Sequence, residues 1–173
     1  MKLFVALALP MFLGEANFSR QYTSVDIARQ FVYSLEREGR DAIAVMDPSH
    51  PGMFVAALHL SSDLLVVRAR HPSVDKIEAL INAGQYLRVF SLLRATPIRT
   101  DKLYVFDARG NGILSSISGA ERVDSIREDD GPAIRFDGVT AGQGLSADQY
   151  DQKLAAADAE YAGALMLLRS AIP

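Results

Sequence analysis

The chain has 173 residues, enough for one ordinary domain and too few for two full ones. Hydrophobic residues make up 49% of it and charged residues 23%, so it can bury a core and is not a disordered chain. Lys and Arg number 18 against 21 Asp and Glu, a formal charge of −3 with no long basic run, and there is no cysteine; a nucleic-acid partner is therefore not expected, and disulfides, thiolate zinc sites, iron–sulfur clusters and a cysteine nucleophile are excluded.

The opening run MKLFVALALPMFLGEAN has one positive charge at Lys2, is almost wholly apolar from Leu3 to Leu13, and then reaches the small residues Gly14 and Ala16. That order reads as a signal peptide over residues 1–16, cleaved after Ala16, which makes the protein periplasmic or secreted. The apolar part is short of the roughly 20 residues that cross a bilayer, and no other stretch approaches that length, so no membrane span is expected. The alternative is a buried N-terminal helix or strand in a cytoplasmic protein, although Pro10 opposes a helix.

Residues 17–173 read as a single domain. Ser24 as cap, the stripe Ile27, Phe31 and Leu35, and Gly39 as stop predict a helix over 25–38. Three β-rich runs follow, Asp41–Asp47, Met53–Leu60 and Leu64–Arg70, separated by PSHPG and SSD, and they predict an antiparallel meander. Pro72 and Ser73 then open a short helix with Val74, Ile77, Leu80 and Ile81 on one face and Gly84 at its end. Tyr86–Leu93 is apolar on both alternations and reads as a strand covered on both faces; Lys102–Asp107 reads as another. Between Ile113 and Thr140 the pattern offers a strand at 113–117, the charged stretch ERVDSIREDDG, and a last strand in AIRFDGV. Ser146 with Gln149 has capping-box spacing, and Tyr150, Leu154, Ala157, Tyr161, Leu165 and Leu168 form one stripe of a helix over 147–171. The resulting fold class is α+β: an antiparallel β-sheet or split barrel of about six strands with an N-terminal helix, a short middle helix and a long C-terminal helix.

Few motifs carry chemistry. Gly142-Gln143-Gly144-Leu145-Ser146-Ala147 fits G-x-G-x-x-A, but only a helix and Pro173 follow, where a dinucleotide fold needs a second parallel strand; the glycines read as a turn. Asp107 to Gly112 lacks a calcium loop's second oxygen ligand and its terminal Glu, and reads as a hairpin turn; Glu128-Asp129-Asp130 reads as a solvated loop. His50, His59 and His71 do not converge in either register open to the hairpin between Leu60 and Leu64, so no metal site is expected. There is no G-x-S-x-G elbow. With Leu60 opposite Leu64, Arg68 and Arg70 share a face with Val66, Phe54, Ala56 and Leu58, and Ser73 and Lys76 stand at the start of the next helix. Two guanidiniums, an ammonium, a hydroxyl and helix-start N–H groups suit a phosphate; the alternative is that the two arginines simply reach solvent at the sheet end.

The order helix, AIAVMD, turn, MFVAALHL, turn, LLVVRAR, S-x-x-K-x-x-x-L and YLRVFSLL resembles the FMN-binding split barrel of the pyridoxamine 5′-phosphate oxidase-like proteins over roughly residues 25–107. The resemblance implies FMN as cofactor, held at its phosphate by Arg68, Arg70, Ser73 and Lys76, a role among oxidoreductases, and a homodimer. The chain is also similar to small secreted bacterial proteins with this helix, sheet and terminal-helix layout, a likeness that brings no activity with it. The strand and hairpin read in KLYVFDARGNG resembles a ligand-sensing domain of the Cache or PAS kind. With no catalytic constellation and a signal-like start, the first expectation is a non-catalytic secreted protein that binds a small ligand or a protein partner.

Overall fold

The computed structural model describes residues 23–96, 101–114, 122–129 and 131–173. The signal-like segment 1–16 and residues 115–117 of the expected strand at 113–117 lie outside them; Ile113 and Leu114 are described and belong to no strand. Helix α1 (Thr23–Arg37) buries Ala28, Phe31 and Leu35 along one stripe and ends where Gly39 takes a φ of 61°. Strands β1 (Ala42–Met46), β2 (Met53–Leu60) and β3 (Asp63–Arg70) form the expected antiparallel meander. The apolar run of β2 follows from its position, since Met53 through Leu58 are buried between layers on both faces.

The hairpin register differs from the expected one. Leu60 lies opposite Asp63 across a two-residue turn in which Ser61 takes a φ of 58°. Arg68 therefore pairs with Val55 and Arg70 with Met53, and they share a face with Val66 and Ala57, while Phe54, Ala56 and Leu58 point to the other face. A one-residue change of register is enough to reverse that assignment.

After β3 come two helices, α2 (Val74–Asn82) and α3 (Tyr86–Ala95). The second corrects the strand expected at Tyr86–Leu93. Its buried residues are Val89, Phe90 and Leu93, a helical stripe, while Leu87 is exposed; apolar residues on both alternations satisfy either period. Only Val89 in that run is β-branched. Gly84, with a φ of 69°, and Gln85 make the turn between the two helices.

The chain then returns to the sheet as β4 (Leu103–Asp107), β5 (Ser125–Glu128) and the two-residue β6 (Ile134–Arg135), and closes with α4 (Ala147–Ser170). Asp107–Gly112 is not a tight hairpin turn: it begins a long connection, because β4 meets its antiparallel partner only at Ser125. Ser146 and Gln149 form the expected capping box, and the expected stripe of α4 is buried throughout. The six strands lie in sequence order in an open antiparallel sheet, α+β as expected, and do not close into a barrel.

Two apolar layers hold it. On one face Ile43, Val55, Val66, Val105 and Ile126 meet Phe31 and Leu35 of α1 and Leu154, Tyr161 and Leu165 of α4. On the other, Phe54, Val67 and Ala69 meet Ile77 of α2 and Val89, Phe90 and Leu93 of α3. Phe90→Ala is expected to cost about 3–5 kcal/mol, whereas Leu87→Lys is expected to change stability by less than about 0.5 kcal/mol. Urea unfolding of both variants checks this; a large loss from Leu87→Lys contradicts the helical assignment of α3.

Candidate functional site

The strongest concentration of polar side chains lies inside the layer shared by α1, α4 and the sheet. Asp107, at the end of β4 and fully buried, accepts the N–H groups of Asn111 at 3.0 Å and Gly112 at 2.9 Å and the Tyr161 hydroxyl of α4 at 2.9 Å. Asp124, just before β5, accepts the N–H groups of Ala108 and Leu114, both at 2.8 Å. Between them, the Ile113 N–H donates to Ser24 Oγ at 2.9 Å. Ser24 and Thr23 at the start of α1 donate their own N–H groups to the two carboxylate oxygens of Asp158 on α4, at 2.9 and 2.7 Å. Segment 108–114 is thus held from three sides, by Asp107, Asp124 and Ser24. A Cβ on Gly112 would meet the α1 backbone at 2.6 Å, so the close approach requires glycine there.

Burial pushes the Asp107 carboxyl up, against the hydrogen bonds it accepts. Burial pushes Asp124 up to about 7, and the charge of Asp107 adds to the effect. Tyr161 is pushed up by burial and by Asp107. These carboxylates spend their acceptors on backbone amides, and the arrangement is a structural clamp.

A second polar group lies at the far end of β3. Arg68 and Arg70 line a pocket of about 250 Å³ with Asp47, His50, Met53, Asp101 and Glu160. Arg68 Nη1 donates to Glu160 Oε2 at 2.8 Å, and Arg70 Nη1 donates to the Pro51 carbonyl. Burial raises the Asp47 carboxyl, but His50 at 2.8 Å, the Ser49 N–H and the Arg68 charge together outweigh it and hold the group below its ordinary value. Two guanidiniums therefore face three carboxylates. Ser73 and Lys76 are not in this lining: the Ser73 N–H donates to His71 Nδ1 at 3.1 Å, its hydroxyl makes no capping bond, and Lys76 is exposed on α2, which packs on the opposite face of the sheet from Arg68. The structure thus brings together two of the four residues expected to hold a phosphate. Among the described residues, no three His, Asp or Glu side chains stand close enough to share an ion.

A third feature was not singled out by sequence. A groove of about 580 Å³ runs between β5, β6 and the start of α4. Ile126, Pro132, Ala133, Ile134 and Leu145 supply its apolar part, and Glu128, Asp129 and Lys153 its charges. Its walls are braced. The Gln143 side chain bonds both to the N–H and to the carbonyl of Arg135 at 2.8 Å, which closes the edge of β6 as a neighbouring strand would. Phe136 meets the Tyr150 ring edge-on at 5.9 Å, and the Tyr150 hydroxyl accepts the Gly138 N–H at 2.9 Å. The glycines of the G-x-G-x-x-A stretch make the short 3₁₀ turn, Ala141–Gln143, that presents Gln143. No helix among the described residues is long and apolar enough to cross a membrane. No family model, no curated protein and no solved structure matches the chain.

Because Asp124 and Asp107 keep their protons in the folded chain at pH values where the unfolded chain has released them, stability is expected to fall as pH rises from about 4 toward 7. The loss is up to about 1.4 kcal/mol per pH unit for each proton so held. The midpoint of thermal unfolding should therefore drop between about pH 4 and 7, and Asp124→Asn should lower it overall and reduce the slope. A midpoint that rises over this range contradicts the assignment.

Proposed function

We propose that this is a non-catalytic binding protein, working outside the cytoplasm, that holds a small amphipathic ligand in the groove between β5, β6 and the start of α4. The groove's makeup carries the reading: a floor of aliphatic side chains with charges of both signs and a side-chain amide at its walls. That is the usual composition of a ligand site, in which apolar area supplies affinity and a few polar groups fix orientation. Its volume, about 580 Å³, is in the range that small ligands fill. The ligand that fits has an apolar body and an anionic group for Lys153, with a cationic group for Glu128 or Asp129 as the complementary addition.

Support for binding over catalysis comes from the titratable groups. The buried carboxylates are occupied by backbone amides, and the arginines at the end of β3 are answered by Glu160 and the Pro51 carbonyl. Support for the compartment comes from the signal-like order of residues 1–16.

Anilinonaphthalene sulfonate, an apolar body with one anion, is the probe of choice. Titration of the native protein should give a saturable fluorescence gain that both Ala133→Trp, which fills the groove, and Lys153→Glu weaken by about tenfold or more, or roughly 1.4 kcal/mol. Equal affinity in both variants overturns the reading.

A further inference from the structure

The two helical layers do not cover the sheet equally. On the α2/α3 side, α3 packs chiefly against β1, β2 and β3 and reaches β4 through Arg94 over Tyr104, and α2 packs against β1. The continuing face of β4, β5 and β6 carries Tyr104 and Phe106 of β4, Ser125 and Arg127 of β5, and Arg135 of β6. Tyr104 and Phe106 are half-buried, and Arg127 and Arg135 are exposed.

This face is basic. Arg127 lies directly opposite Tyr104 in the ladder, and Arg135 opposite Ser125. Arg94, in the last turn of α3, places its guanidinium 5.8 Å from the Tyr104 ring centre. Lys102 sits beside them, its ammonium donating to the carbonyls of Arg94 and Thr96 at 2.8 Å each. Burial, and then the like charge of Arg127, hold Lys102 below its ordinary value. Among the described residues, Arg94, Lys102 and Arg127 have no carboxylate within ion-pair distance, and Arg135 meets only Asp137, at 3.9 Å. In a chain whose formal charge is −3, four cations thus gather around the half-buried Tyr104 and Phe106.

We propose that this basic face of β4, β5 and β6 is a docking surface for an acidic segment of a partner protein. Charge complementarity selects the partner: neutralising Arg127 and Lys102 relieves their mutual repulsion, and the partner's apolar side chains pack on Phe106. A nucleic acid fits less well. The Arg94 guanidinium already covers the Tyr104 ring, so the pair does not form a continuous platform for base stacking, and the net charge of the chain repels a polyanion at long range. This surface lies on the opposite face of β5 and β6 from Ile126 and Ile134 of the ligand groove, so it is a separate site.

The test is fluorescence anisotropy with a labelled octapeptide of alternating Glu and Phe, on the full chain at low and at high salt. The wild type should bind at low salt and weaken as salt rises; the peptide with Gln for Glu should bind at least about tenfold more weakly. Arg94→Glu with Arg127→Glu should cost about tenfold or more, with circular dichroism unchanged, while Lys153→Glu leaves the affinity as it was. Absence of binding by the wild type, equal binding by the double variant, equal binding of the Gln peptide, or tighter binding of a single-stranded oligonucleotide overturns the proposal.

Discussion

The clamp on segment 108–114 is the constraint on which the rest of the molecule depends. Amides of this segment are buried where no strand or helix takes them, and they are satisfied by Asp107, Asp124 and Ser24. A buried N–H without a partner costs about 1–3 kcal/mol, so these side chains decide whether the segment can enter the core at all. With the α4 residues bonded to them, these side chains belong to four parts of the chain. Asp107 ends β4, Asp124 leads into β5, Ser24 starts α1, and Tyr161 and Asp158 stand on α4. The alignment of α1 with α4 follows from this tie at one end and from Arg169 bonded to Gln30, and Arg37 to the Pro173 carbonyl, toward the other. The two helices therefore run parallel across one face of the sheet.

That arrangement sets what the surface can do. With α1 and α4 fixed on one face and α2 and α3 packed chiefly on the β1–β3 half of the other, the β4–β6 half of the sheet carries fewer helical contacts on that second face among the described residues. The start of α4 is held against β6 by Tyr150 and Gln143, and the groove forms in the angle between them. Both proposed binding surfaces belong to the half of the sheet with fewer helices, where short strands and a capped edge leave side chains accessible. In the other half, β2 is buried on both sides.

Much of this architecture was legible in the residues. The capping box of α4 and its stripe were readable because they are local signals three or four positions apart. The β1–β3 meander was readable because turn residues separate β-branched runs. What local patterns cannot fix is the choice that tertiary packing makes. Tyr86–Leu93 satisfies two periods at once, and only the layer over Phe54 and Val67 selects the helix. The hairpin after Leu60 admits two registers, and the turn at Ser61–Ser62 decided which face Arg68 and Arg70 share.

The candidate sites were less legible, for a related reason. Arg68 and Arg70 stood out because they are two apart on one strand, yet the structure answers Arg68 with Glu160, far along the chain. Arg94, Lys102, Arg127 and Arg135 come together only through the β4–β5–β6 ladder. The role of Asp107 had a faint signal, an Asp followed by glycines three and five positions later, which reads as a turn in either case. The most direct measurement is amide hydrogen exchange at Ala108, Gly112, Ile113 and Leu114. A buried clamp predicts that these amides, although outside any helix or strand, exchange only with global unfolding, as slowly as those of β2 and β3. Exchange as fast as that of the exposed turn at Ser61–Ser62 would contradict it.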